Sequence, residues 1–140
     1  MSEISNNHEV AAIALAYFEG VKSDLLEFGG TSVTRVEPLK RSREFAVAVY
    51  DQLAMILARR YHNNEIDFET ADWLANDFEG ELNHLFAFVW PDSVAESWPM
   101  LWSEVYEAFD AGEHDHFGRS TDPIKEFTDP MIAEFLAKQI

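Results

Sequence analysis

The sequence predicts an all-α fold: one domain over residues 1–140, a compact bundle of about five helices. Three observations predict it. Apolar residues recur at steps of three or four through long segments, as one buried face of a helix requires. Between those segments stand Gly-Gly, Asn-Asn and X-Pro pairs of the kind that stop or start helices. No extended run has a convincing partner strand, and no repeat or low-complexity segment divides the chain.

The first predicted helix spans 8–28, with Val10, Ala14, Tyr17, Val21, Leu25 and Phe28 on its inner face. Gly20 sits inside it at a cost of about 1 kcal/mol relative to alanine, and close approach of a neighbouring helix is the expected reason. Gly29-Gly30 ends it with a left-handed cap. Residues 31–37 read as an extended connection before Pro38, and Val33 and Val36 have the character of a short strand. The second helix, 41–61, is apolar on nearly every side from Phe45 to Ala58, which places it in the middle of the bundle.

Asp67 is a fitting N-cap for a third helix over 68–89. Its buried stripe is Ala71, Leu74, Ala75, Phe78, Leu82, Leu85, Phe86 and Val89. Asp72, Asn76, Asp77, Glu79, Asn83 and, beside them, Glu81 are expected to face out. A short turn near Asp92–Ser97 precedes a fourth helix over 99–111, opened by Pro99. Leu101, Trp102, Val105, Ala108 and Phe109 should face inward there, with Glu104, Glu107 and Asp110 outside. Gly112 stops it. Residues 113–127 read as a polar loop, and Thr128 or Asp129 caps the last helix, 129–139, with Ile132, Phe135, Leu136 and Ile140 inward.

Charge is the most informative feature. The chain holds 26 acids and 10 bases, a formal net charge of −16. Between Arg60 and Arg119 there are fourteen carboxylates and no lysine or arginine, and twelve of the nineteen aromatic residues share that stretch. A single-sign surface over an aromatic core attracts basic macromolecules and repels phosphates, which excludes nucleic acid and anionic lipid as partners. No apolar run is long enough to span a bilayer. The start Met-Ser-Glu has no signal-peptide pattern and cysteine is absent, so a cytoplasmic protein is expected. Lys40, Arg41, Arg43, Arg59 and Arg60 flank the second helix and are the cations best placed to cover the acidic half.

Nothing in the sequence fixes a reaction. Phosphate-binding glycine loops, Gly-x-Ser-x-Gly, His-Glu-x-x-His and EF-hand spacings are all missing. The sharpest enzymatic pattern is a pair of Glu-x-x-His spacings, Glu81/His84 and Glu113/His116, resembling the spacing di-iron bundles use. With His114 they outline a metal-binding bundle or metal-dependent enzyme for a divalent ion such as zinc or iron. Against it, the second pair falls after Gly112, where helical spacing loses its meaning.

The leading reading is non-enzymatic. It is an interaction protein that presents Asp72, Asp77, Glu79, Glu81, Glu104, Glu107 and Asp110 to a basic protein partner, with Trp98 and Tyr106 as apolar anchors at the rim. In its most concrete form it is an immunity or inhibitor protein for a basic bacterial toxin. A homodimer through the tryptophan-rich surface is the third reading, opposed by like charge.

Overall fold

The computed structural model describes residues 3–30, 33–92 and 98–139, with side chains from residue 7 onward except 33 and 34. Among them are five α-helices and no strand: α1 (Glu3–Phe28), α2 (Arg43–His62), α3 (Phe68–His84), α4 (Met100–Ala111) and α5 (Asp129–Ala137). The all-α bundle is therefore as the periodicity predicts. The expected turn at 92–97 and the inward Ile140 lie outside the described residues, Asp92 excepted.

α2 is the axis. It packs against α1, α3, α4 and α5, and Phe45, Ala46, Val49, Tyr50, Leu53, Ala54, Leu57 and Ala58 are buried along it. Around its midpoint Tyr17, Tyr50, Phe78 and Trp102 meet edge to face. Ring centroids lie 5.1 Å apart for Tyr17–Phe78, 5.3 Å for Tyr50–Trp102 and 5.9 Å for Phe78–Trp102. Such pairs each contribute about 0.5–1.5 kcal/mol beyond the area they bury.

Several expectations need correction. The segment after α1 is a 3-10 helix, Val33–Arg41, rather than an extended connection or strand. Three residues per turn stack Val36 on Leu39, and both are buried. Phe28 is 75% exposed, because the chain leaves the core at the Gly29 cap (φ 78°) before its ring can turn in. α1 starts five residues before the expected position, since its polar first turns carry no apolar period. Past His84 the third helix continues as a π-turn, Leu85–Val89, and a second π-turn, Ile124–Thr128, leads into α5 out of the expected polar loop. Thr128 therefore does not cap α5; its buried hydroxyl donates to the Ala108 carbonyl at 2.7 Å, tying α5 to α4.

Ser42 and Asp67 cap α2 and α3, accepting from Phe45 N at 3.0 Å and Thr70 N at 2.8 Å. α4 begins at Pro99 with no cap of its own. Its first free amides, Leu101 N and Trp102 N, are taken instead by Asp51 Oδ1 of α2, at 3.1 and 3.3 Å. Burial raises the Asp51 carboxyl above its usual range, and these two donors oppose that rise.

Two glycines answer to close approach. A Cβ on Gly20 would lie 2.8 Å from the Arg35 guanidinium, so the intruder is a side chain of the 3-10 helix and not the expected neighbouring helix. Through that gap Arg35 reaches Asp24, only 4% exposed, with two bonds of 2.9 and 3.0 Å. Gly112 has an ordinary φ of −84°, so its backbone does not demand glycine. A Cβ there would collide with Thr128 Oγ1 and lie 2.8 Å from the Phe68 ring. Gly112→Ala should thus cost about 1–3 kcal/mol by overpacking a closed corner, read as a lowered midpoint in urea unfolding with an unchanged slope.

Candidate functional site

α3 and α4 run antiparallel, joined by a ladder of polar contacts. Glu79 Oε1 accepts from Trp102 Nε1 at 2.8 Å, and the Tyr106 hydroxyl donates to Asn76 Oδ1 at 3.3 Å. Asn76 Nδ2 donates to Glu113 Oε2 at 3.1 Å, just past the end of α4. Asp72, Glu79, Asp110 and Glu113 all act on Tyr106, whose hydroxyl is raised first by burial and then by those four charges. This seam is where the acidic half concentrates its chemistry.

Asp72 is a strongly perturbed carboxyl. Burial first, then its hydrogen-bonding contact with Glu113 and the charges of Glu113 and Asp110, push it up to about 7. Its Oδ1 is buried and receives no donor among the described residues. Two carboxyl groups in contact, both acceptors when ionised, need a shared proton.

A second cluster joins α3 to α1 and α2. Tyr50 donates to the Phe78 carbonyl at 2.6 Å, Tyr17 and Tyr50 hydroxyls lie 3.0 Å apart, and Tyr17 also contacts Glu81 Oε1. Tyr17 donates to Glu81 Oε1 and Tyr50 to the Phe78 carbonyl, and the two hydroxyls adjoin each other between these acceptors. Burial raises Glu81, and the charges of Asp77 and Asp24 add to the rise while the Tyr17 bond opposes it.

These contacts revise the expected outward row. Asp72 and Glu79 turn toward α4, and Glu81 toward α1, because the flanks of a three-sided helix meet neighbours that periodicity does not name. Asp77 is half-buried beside Glu81, Glu104 takes Lys138 at 2.6 Å, and Glu107 and Asp110 are exposed on α4. Trp98 is half-buried against Phe86, with ring centroids 4.9 Å apart, and Tyr106 is half-buried in the seam, so neither is a free rim anchor. The apolar groups that do stand out on this side are Trp73, 48% exposed, and Phe88, 74% exposed. Trp73 lies opposite the buried stripe of α3, which was the signal available to find it.

Four of the five cations that flank α2 are engaged away from the seam. Lys40 pairs with Glu37, Arg41 with Glu9, Arg43 with Glu44, and Arg60 with Glu19 at 2.8 Å and Glu65 at 3.6 Å. The metal-ligand candidates fall into separate places. Glu81 belongs to the tyrosine cluster, Glu113 to the Asp72–Asn76 cluster, and exposed His84 meets the Phe88 ring at a tilt, centroids 4.9 Å apart. His114 and His116 adjoin each other at 4.6 Å, with His116 Nε2 at 2.7 Å from the Ala111 carbonyl. Among the described residues no three His, Asp or Glu side chains form a group able to hold a metal ion. No described helix is long and apolar enough to cross a membrane.

The raised Asp72 fixes a sign. Its contribution to stability is full below about pH 4 and is lost as pH climbs from 3.8 to about 7, because the folded state holds the proton longer. Asp72→Asn should therefore match the wild type near pH 4 and exceed it at pH 8. The gain is on the order of 1 kcal/mol after discounting for a half-exposed site, or about 3 °C in Tm. Thermal unfolding at the two pH values measures it.

No known family model, curated protein or solved structure matches the chain.

Proposed function

We propose that this is a cytosolic interaction protein whose acidic α3/α4 face holds a basic protein partner, most concretely as an immunity or inhibitor protein for a basic toxin such as a nuclease. The observation that supports the reading is the disposition of charge. Lys40, Arg41, Arg43 and Arg60 are engaged by acids of α1, α2 and the 3-10 helix, with Arg60 also touching Glu65, while Glu107, Asp110 and Glu113 remain exposed along the outer end of the seam. Carboxylates so arranged mimic the phosphates a nuclease binds, and inhibition follows from occlusion. Association is fast and salt-sensitive because long-range attraction steers it.

The product of the gene immediately upstream is the first partner to test. It should bind at about 50 mM salt and dissociate at about 0.5 M, where the screening length falls to roughly 4 Å. Reversing Glu107, Asp110 and Glu113 to lysine together should slow association by at least about tenfold with little change in dissociation. Surface plasmon resonance separates the two rates. Binding that survives 0.5 M salt and the triple reversal overturns the reading.

A further inference from the structure

We propose that the outer face of α3, from Trp73 across Gly80 and His84 to Phe88, is a docking stripe for an apolar-faced, lysine- and arginine-rich helix of a protein partner. The proposal rests on the acidic-face reading and specifies which surface the partner seats on.

Trp73, Gly80 and His84 follow one another at seven and four residues, so they share one side of α3. Phe88 joins them through the π-turn, its ring tilted against that of His84 with centroids 4.9 Å apart. Trp73 is 48% and Phe88 74% exposed, while Ala87 beside them is exposed as well. Large exposed aromatics on a single face are what interfaces use as anchors.

Gly80 is the second observation. An exposed glycine inside a helix costs about 1 kcal/mol against alanine. Gly20 and Gly112 admit side chains of this chain, but a Cβ on Gly80 would meet nothing within 4 Å. The fold itself has no use for that gap. Between two aromatic side chains it forms a waist where another backbone can approach closely.

Charge selects the occupant. The stripe lies within the segment of fourteen carboxylates and no lysine or arginine. Exposed Glu69 stands one turn before Trp73, and exposed Asp92 follows the far end. A second copy of a chain with net charge −16 would bring like charge to like. The sixteen residues from Trp73 to Phe88 extend about 22 Å, the length of roughly four turns of a partner helix.

The probe is an 18-residue amphipathic peptide of leucine and lysine, compared with a scrambled peptide of the same composition. Wild-type protein should bind the amphipathic peptide at least about tenfold more tightly, with a blue shift of tryptophan emission. Trp73→Ala/Phe88→Ala should bring it to the level of the scrambled peptide. Gly80→Leu fills the waist without touching the core and should do the same; circular dichroism checks that both variants keep their helices. If both peptides bind equally and salt-sensitively, or the variants bind like wild type, the stripe is overturned while the acidic face stands. Failure of both peptides to bind at low salt overturns both. A homodimer dissolved by Trp73→Ala/Phe88→Ala assigns the stripe to self-association and overturns the basic occupant.

Discussion

Carboxylates without cations must find neutral donors, and that necessity organises the acidic half of this bundle. Glu79 takes an indole N–H, Glu113 a carboxamide, Asp51 two backbone amides and Asp67 another. Tyr17 meets Glu81. An aromatic residue with a polar tip supplies apolar bulk to the core and a donor at its edge. Where such a residue meets an acid, as Trp102 meets Glu79 and Tyr61 meets Asp129, the ring adds bulk to the core and its N–H or O–H group tethers the charged margin.

Much of the architecture was legible because it depends on local chemistry. Asp67 and Gly29 mark helix ends through their own side chain or backbone, and the unbroken apolar centre of α2 announces burial on all sides. The 3-10 helix was not legible, since Pro38 argued against an α-helix and nothing local argued for the tighter turn that buries Val36 and Leu39. Gly112 ends α4 as its position announced, but the crowding of Thr128 and Phe68 that excludes a side chain there comes from residues distant in sequence and was not legible.

The candidate site was legible in composition and less so in orientation. Periodicity separates the buried stripe of α3 from the rest, but it does not say that Glu81 meets α1 or that Asp72 and Glu79 meet α4. Trp98 and Trp73 differ in the same way. The first packs on Phe86, and the second stands clear on the side facing away from the core. One carboxyl group, Asp72, is pushed up to about 7 by burial and its acidic neighbours, so the negative charge of the face varies with acidity near neutral pH.

Asp51 has a consequence for how the chain assembles. The amides that open α4 are served by a side chain fifty residues earlier, so the cap of this helix exists only while α2 is packed beside it. Short-range and long-range order meet at this contact. Such mutual dependence makes a small domain melt as one unit rather than peel apart.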